Sequence, residues 1–414
     1  MKQASKKTER EASPNRRAWR RLRKNKPATA GLLFILLAVG VALLAYVLAP
    51  DNSPNANDQI PEIALQEPGF GTQVLLVRQN RRIPSKNFLA RWWGGTPSPY
   101  KSIPINGYGF RKDSIVVEKF AGRDAEADSL YKGVELSFHL ADVVHALAAD
   151  SDLQSKADGS ISFVDIDQQK RELGISDLQQ TVESSYIVKK VYYLGTDRFG
   201  RSVLSRLILG VRISLTVGLI AVLLSLTIGI ALGALAGFFG GRLDDLVMLL
   251  INTIWSIPTL ILVFAIVLAL GRGIGIIFLA VGLTMWVDVA RIVRGQVMGL
   301  RKMAFVEAAQ TMGFSTARTI GRHILPNILG PVMVIAAANF ATAILIEAGL
   351  SYLGFGIKPP TPSWGTMLNE NYGYAISGKP FLALIPALAI MLLVLAFNLV
   401  GNGLRDALDV KTND

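Results

Sequence analysis

Long uncharged apolar runs constrain this chain more than any other feature of its sequence. A helix needs roughly 20 apolar residues to cross a bilayer, and a soluble core has no need of such runs. Five runs in the sequence have this length. A sixth, shorter run from Gly273 to Val287 reaches spanning length if its helix carries Asp288 to the interface. The pattern predicts an all-α polytopic membrane protein with six transmembrane helices. The five runs of full length are Ala28 to Ala49, Ile213 to Gly241, Leu246 to Gly271, Asn327 to Ile346 and Pro380 to Leu404.

The positive charge of the chain is concentrated beside particular runs. In a soluble protein the net charge of +12 would suggest a nucleic-acid partner. Here residues 1–27 hold eleven Lys and Arg against two acids, and residues 288–326 hold six against two. Because basic residues favour the cytoplasmic ends of spans, the charge is explained by membrane topology and predicts no nucleic-acid partner.

This topology divides the chain. It predicts a basic cytoplasmic segment (1–27), a first transmembrane helix (28–50), an extracytoplasmic insert (51–194), a core of helices two to six (195–406) and a cytoplasmic tail (407–414). Pro50-Asp51 offers no small-residue cleavage site, so the first run predicts a retained anchor. The loop 354–380 is then outside, either as a lid or re-entrant segment or as a structured connector.

The insert carries signals of mixed secondary structure. Thr72–Arg78 and Ser114–Phe120 have the composition of strands. Gly133–Asp150 has apolar residues at helical spacing and predicts a helix, and Gly174–Tyr193 is a helix or a strand. A small α+β domain is favoured over a set of excursions packed on the membrane portion. The turn around Asp197 and Arg201 predicts capping and an ion pair rather than catalysis.

Two features of the core predict how its helices pack. Gly229, Gly233 and Gly237 recur at every fourth residue of the second run, which lets two helix backbones approach closely. Pro258 lies inside the third run and predicts a kink, because proline removes a helical hydrogen bond.

A polar, basic connection between apolar runs is the main functional candidate, within residues 295–326. It begins with Glu307-Ala308-Ala309, turns at Gly313 and closes on Leu325-Pro326. Small residues let a partner surface approach, and glycine adopts positive φ at little cost, so one helix can end there and another begin. The connection is either a cytoplasmic loop of chance composition or a docking element for an energy-supplying subunit.

Other functional classes find little support. The chain contains no G-x-x-x-x-G-K-[ST] motif, so we expect no ATPase site of its own, and no bound cofactor. The Gly349–Gly354 segment misses the spacing of a nucleophile elbow, and the three histidines are too scattered for a metal site. Asp288 and Glu347 fall at the ends of apolar runs, whereas proton-coupled transporters place such groups nearer mid-membrane. A secondary transporter and a membrane-anchored interaction protein remain as alternatives.

Five sequence blocks carry a resemblance to a known family. The blocks resemble, in the same order along the chain, signature blocks of the inner-membrane permease subunits of ABC importers for dipeptides and oligopeptides. The residues around Asp288 are more similar to the oligopeptide branch. The insert has no counterpart of this length in typical members, and the family usually has an apolar residue where His323 stands. The blocks are LGTDRFGRSVLSRLILGVRISLTVG, ALAGFFGGRLDD, VEAAQTMGFSTARTIGRHILPN, EAGLSYLGFGIKPPTPSWGTML and FNLVGNGLRDALD.

The resemblance implies a fold, a site and a set of partners. The fold is that of type I ABC importer permeases in the bacterial inner membrane, with both termini cytoplasmic. The coupling region that docks on cytoplasmic ATPases comprises Glu307, Ala308, Ala309 and Gly313, closed by Leu325 and Pro326. The implied partners are a second homologous permease, two ATPase subunits that bind the ATP, and an extracytoplasmic substrate-binding protein. The resemblance names no substrate and no residues of the substrate pathway.

Overall fold

The computed structural model of the protein describes residues 14–83, 87–124, 129–156, 158–271 and 273–408. The chain forms two compact units. The helical unit comprises Met1–Leu43, Gly210–Gly373 and Ala383–Asp414, and the mixed unit comprises Leu44–Leu209 and Tyr374–Leu382.

The helices of the described residues are numbered along the chain. Short 3₁₀ turns at Pro54–Ala56 and Pro61–Ile63 and π-helical turns at Val182–Tyr186 and Thr319–Ile324 accompany them. The helices are α1 Pro14–Lys24, α2 Lys26–Leu43, α3 Ala45–Leu48, α4 Phe88–Gly94, α5 Leu140–Val144, α6 Ile175–Thr181, α7 Val203–Phe239, α8 Gly241–Trp255, α9 Thr259–Leu270, α10 Ile274–Arg301, α11 Ala304–Thr311, α12 Thr316–Arg318, α13 Leu325–Tyr352, α14 Trp364–Ile376 and α15 Phe381–Leu408.

The strands all lie in the mixed unit, within the described residues. They form a five-stranded sheet in the order β10-β1-β2-β3-β6, a three-stranded sheet β7-β8-β9 and a pair β4-β5. The strands are β1 Phe70–Arg78, β2 Tyr100–Arg111, β3 Ser114–Lys119, β4 Arg123–Asp124, β5 Ser129–Leu130, β6 Glu135–His139, β7 Gln154–Ser155, β8 Ser160–Val164, β9 Lys170–Gly174 and β10 Ile187–Tyr192.

Five helices of the described chain are long and apolar enough to cross a membrane. They are α2, α7, α10, the continuous helical stretch Thr316–Tyr352 and α15. The third apolar run is not one straight helix, because α8 and α9 meet at an angle of 91° and the pair counts as at most one further span. The break falls at Ser256–Pro258, so the kink predicted from Pro258 is a sharp bend.

Small residues set the helix contacts of the helical unit. Near its beginning α2 packs on α15, where a Cβ built at Gly31 would lie 2.7 Å from the carbonyl oxygen of Ala396. One apolar cluster joins α9, α10 and α13 around Val263, Val281 and Leu350. At Gly31 the missing side chain therefore lets the backbones of α2 and α15 approach closely.

The five-stranded sheet of the mixed unit is antiparallel throughout. Leu75 of β1 lies opposite Ile103 of β2 and Ile187 of β10. One face of the sheet packs on α5, α6 and β8, so that Leu75, Ile115 and Phe163 belong to one core. The predicted strands at Thr72–Arg78 and Ser114–Phe120 are confirmed as β1 and β3.

The predicted helix at Gly133–Asp150 is wrong. Glu135–His139 is strand β6, which pairs with β3, and only the five residues of α5 are helical. Edge pairing on β3 satisfies the backbone of this segment, and tertiary pairing outweighs its helical spacing. Gly174–Tyr193 contains both predicted alternatives, since α6 and a π-helical turn lead into β10.

Candidate functional site

Helix α11 presents two different faces. Val306 and Ala309 are buried, whereas Glu307 and Ala308 are exposed between them. The buried face joins an apolar cluster with Val297 of α10, Ile324 of the π-helical turn and, further along, Val332 of α13. The helix is therefore fixed to the longest helices of the helical unit while Glu307 and Ala308 stay available to a partner.

The end of α11 is a tight glycine turn. Gly313 has a φ of 78°, which a residue with a Cβ adopts only with strain. Its amide donates to Gln310 O at 3.0 Å and the Phe314 amide donates to Ala309 O at 3.1 Å, the pair of bonds that defines a Schellman motif. The predicted turn at Gly313 is thus built from backbone geometry that favours glycine.

Beyond the turn, the chain returns directly into a long helix. Ser315 caps α12 by accepting a hydrogen bond from the Arg318 amide at 3.4 Å, and the π-helical turn links α12 to α13 without a break. His323 stacks on Phe314 with 5.6 Å between the ring centroids. The Arg318 guanidinium also lies over the Phe314 ring, 5.2 Å from its centroid. The imidazole therefore fills a half-buried position that an apolar side chain would suit.

The last two residues predicted for this region have a different place. Leu325 and Pro326 form the first turn of α13, where proline needs no hydrogen-bond partner for its nitrogen. Pro326 is exposed and Leu325 packs against the cluster under α11. The structure thus places Leu325 with the buried face of α11 and Pro326 at the surface.

The three glycines of α7 lie along α10. A Cβ at Gly229 would lie 2.5 Å from Val289 Cβ, and one at Gly237 would lie 2.6 Å from the Arg294 carbonyl oxygen. At Gly233 it would collide with the Ala290 carbonyl oxygen and meet Val293 Cβ at 3.0 Å. Because Val293 and Val297 also support α11, this close contact and the exposed Glu307 surface share one apolar cluster.

A polar group at the bend between α8 and α9 was missed by sequence reasoning. The Trp255 indole donates to Asp288 Oδ1 at 3.1 Å, and the Arg291 guanidinium lies 4.3 Å from the Trp255 ring centroid. A small cavity beside them is also lined by Thr284 and Thr342. Asp288 lies near the middle of α10, 33 residues from Trp255, and no local sequence signal brings the two side chains together.

One ion pair and one buried carboxyl hydrogen bond lie elsewhere in the helical unit. Asp244 of α8 makes a bidentate ion pair with Arg294 of α10, with 2.6 Å between Oδ2 and Nη2. Glu347 of α13 is fully buried and its Oε1 accepts a hydrogen bond from the Ser351 hydroxyl at 2.7 Å.

Comparison with known proteins assigns the chain. Residues 229–414 match the sequence model of the family described as binding-protein-dependent transport system inner membrane component. Residues 13–68 match that of the N-terminal TM domain of oligopeptide transport permease C. The chain is 41% identical over 222 residues to the oligopeptide transport system permease protein OppC of Bacillus subtilis strain 168, covering 54% of this chain and 72% of that protein. The chain belongs to the family of binding-protein-dependent transport system inner membrane components.

Other relatives of this permease are named for the same solute class or for a different one. It is 42% identical over 220 residues to the oligopeptide permease OppC of Escherichia coli K12, covering 53% of this chain and 72% of that protein. It is 40% identical over 220 residues to the glutathione transport system permease GsiD of Pectobacterium atrosepticum, covering 53% and 73%. Among solved structures, a chain of the MetNI methionine ABC transporter is similar at 20% identity with a TM-score of 0.41, covering 49% of this chain and 96% of that one.

Proposed function

We propose that this permease moves peptides or similar small solutes inward as the membrane subunit of an ATP-driven importer. The relatives named as peptide permeases support the solute class. The observation that carries the proposal is the exposed Glu307-Ala308 face of α11, held on a cluster shared by α7, α10 and α13. A partner that pushes this face acts on three long helices at once.

The proposed machine has several subunits. Two cytoplasmic ATPases bind ATP and dock on α11, a second homologous permease completes the pathway as a heterodimer, and an extracytoplasmic protein delivers the solute. Closure of the ATPases moves α11 and switches the permease pair between outward- and inward-facing states. The permease itself binds no ATP and no cofactor, and the partners supply the energy.

The proposed membrane arrangement has six spans in a type I importer fold. The bent pair α8 and α9 counts as one span, with both termini in the cytoplasm and residues 51–194 outside the bacterial inner membrane. The basic residues of 1–27 and 288–326 support this orientation. With that orientation α11 faces the compartment that holds ATP.

A proton-coupled secondary transporter is the rival function. Asp288 inside α10 and the buried Glu347 favour it, because ionisable groups within spans often relay protons. Uptake by proteoliposomes separates the two. With the permease pair, the ATPases and the binding protein reconstituted together, we expect uptake that requires ATP and is unchanged when the proton gradient is collapsed. Uptake driven by a proton gradient without ATP would contradict the proposal.

A further inference from the structure

The mixed unit carries an exposed aromatic helix outside the proposed coupling region. In α4, FLARWWG, the side chains of Phe88, Leu89 and Trp93 are 78%, 69% and 68% exposed. Adjacent large apolar side chains at this level of exposure form a patch that water solvates poorly. An exposed apolar patch of this kind is typical of a surface that contacts a membrane or another protein.

Helix α4 lies beside the residues that directly follow the first membrane helix in the chain. An apolar cavity of about 710 Å³ separates α4 from the residues that follow α2, and Leu44, Val47, Phe88 and Trp92 line it. Leu44 directly follows the last residue of α2, so its Cα lies ~3.8 Å from that residue. Residues 13–68 match a family domain described as transmembrane. Hence the cavity beside α4 is lined by the residue that directly follows the first membrane helix.

Close contacts hold α4 there. A Cβ at Gly95, just after α4, would lie 2.6 Å from Asn52 O and 2.7 Å from the Tyr46 ring. The Thr96 amide donates to Asn52 O at 3.1 Å, and the Tyr46 hydroxyl accepts from the Asn55 amide at 3.2 Å. These contacts hold the C-terminal end of α4 against Tyr46 and Asn52, so that α4 stays beside Leu44 and Val47.

The residues that lead along the chain from α2 to the cavity expose a series of apolar side chains. Leu36, Leu37 and Leu43 on α2 are exposed, as are Leu44 and Val47 after it. Exposed leucines on a transmembrane helix face lipid or another subunit, and tryptophan is enriched where a span meets the headgroups. Leu44 and Val47, which line the cavity beside α4, thus continue along the chain the exposed apolar residues that begin on α2.

The charge around α4 suits lipid phosphates. Residues 78–91 contain four arginines and one lysine and no acidic residue. Arg82 lies 3.5 Å from Asp167, but both side chains are largely exposed, so solvent screens the pair. Arg91 on α4 lines the cavity beside the aromatic residues. Apolar residues on one face with basic residues beside them are the pattern of helices that lie in a membrane interface.

We propose that α4 is an interfacial anchor: Phe88, Leu89 and Trp93 insert among the lipids beside the end of α2, and the basic residues contact phospholipid headgroups. The anchor holds the mixed unit against the bilayer. It rests on the family's transmembrane domain and not on the proposed solute or energy source.

Site-directed spin labelling in the intact chain tests the anchor, because the protein has no cysteine of its own. Leu89→Cys carries the label at the patch. Val134→Cys is the matched control, since Val134 is 68% exposed in the same unit, and Leu37→Cys on α2 is the lipid reference. The ratio of collision rates with oxygen, which partitions into lipid, and with a water-soluble nickel chelate is measured in phosphatidylcholine nanodiscs.

We expect the ratio at Leu89→Cys to exceed that at Val134→Cys several-fold and to approach that at Leu37→Cys, and Phe88→Cys should agree. Equal ratios at Leu89→Cys and Val134→Cys would overturn the anchor. So would low accessibility to both reagents, which would indicate a protein partner or a second copy. Replacing part of the lipid with phosphatidylglycerol should raise the ratio at Leu89→Cys further, and less so in an Arg91→Gln background. No rise would overturn the contribution of charge.

Discussion

Different interactions stabilise the interior of each of the two units of the permease. In the helical unit, glycines of α7 let two helix backbones meet, and the apolar cluster beside them supports α11. In the mixed unit, an antiparallel sheet covers one apolar core, and the chain leaves the unit through a buried ionic turn at Asp197. The first unit depends on small residues at chosen positions, and the second on paired strands and a satisfied charge.

The family resemblance divides along similar lines. The two family models cover residues 13–68 and 229–414 and leave residues 69–228 unmatched. Most of the mixed unit therefore has to be understood from its own contacts. The difference teaches that the family signal includes the region where helix packing is constrained by glycine, while the insert keeps its fold through strand pairing and core contacts that neither family model matches.

The largest expected effect is in the mixed unit, at its buried ion pair. Asp197 Oδ2 lies 2.6 Å from Arg201 Nε, its other oxygen accepts two backbone amides, and Arg206 is also within 3.8 Å. Asp197→Ala leaves buried guanidinium charge uncompensated and should cost about 3–5 kcal/mol. Chemical denaturation of the detergent-solubilised protein, followed by a probe in the insert, measures this cost.

Asp167→Ala is the matched control, because Asp167 pairs with Arg82 at the surface. Both side chains are more than half exposed, so the loss should stay below about 1 kcal/mol. Similar costs for the two variants would show that the turn at Asp197 does not hold the mixed unit together.

A smaller effect is expected in the helical unit, from one methyl group. Gly233→Ala places its Cβ against the Ala290 carbonyl and Val293, so α7 and α10 have to separate. Overpacking of this kind costs about 1–3 kcal/mol, which exceeds the gain of up to about 1 kcal/mol from better helix propensity. Thermal unfolding of the purified permease should begin at a lower temperature.

Gly299→Ala on α10 is the control for helix propensity. A Cβ at Gly299 meets no atom within 4 Å in the described part of the chain. This variant should match or exceed the wild type in stability. If Gly233→Ala also does so, the glycines of α7 do not set the helix contact.

The smallest expected effect is a pH dependence confined to the mixed unit. Burial, with help from the positive charge of Arg171, lowers the pKa of His145 below its usual value near 6.5. The unfolded state then binds the proton more readily, so stability is present above about pH 6.5 and is lost as the pH falls through the folded pKa. Hydrogen exchange in β8, corrected for intrinsic rates, should show weaker protection at pH 5.5 than at pH 7.5.

His145→Phe should remove this dependence while keeping a ring against Phe163, whose centroid lies 5.2 Å from that of His145. If protection in β8 falls equally with pH in both proteins, another group is responsible. The change in protection of α10 between pH 7.5 and pH 5.5 should be the same in the wild type and in His145→Phe.

Local sequence signals predicted the parts of the fold that local chemistry determines. The strands β1 and β3, the bend at Pro258, the turn at Gly313 and the Asp197–Arg201 ion pair are all encoded within a few neighbouring residues. Gly313 in particular needs positive φ, and few other residues suit that position.

Contacts between distant residues could not be read in this way. The segment at Gly133 has helical spacing, yet β3 recruits it as an edge strand. Trp255 and Asp288 are 33 residues apart and meet because α8 and α9 bend, and nothing in the spacing of either residue predicts the contact. The docking role of Glu307 and Ala308 stays a prediction that the exposed face of α11 supports and a partner must test.

Co-purification of the ATPase subunits with a Glu307→Arg variant tests the central claim most directly. Asp406→Arg is the control, since Asp406 is also an exposed acid and lies near the end of α15. We expect Glu307→Arg to insert into the membrane and pair with its partner permease but to lose the ATPases, while Asp406→Arg retains them. Retention of the ATPases by Glu307→Arg at the wild-type level would contradict the assignment of α11 as the coupling helix.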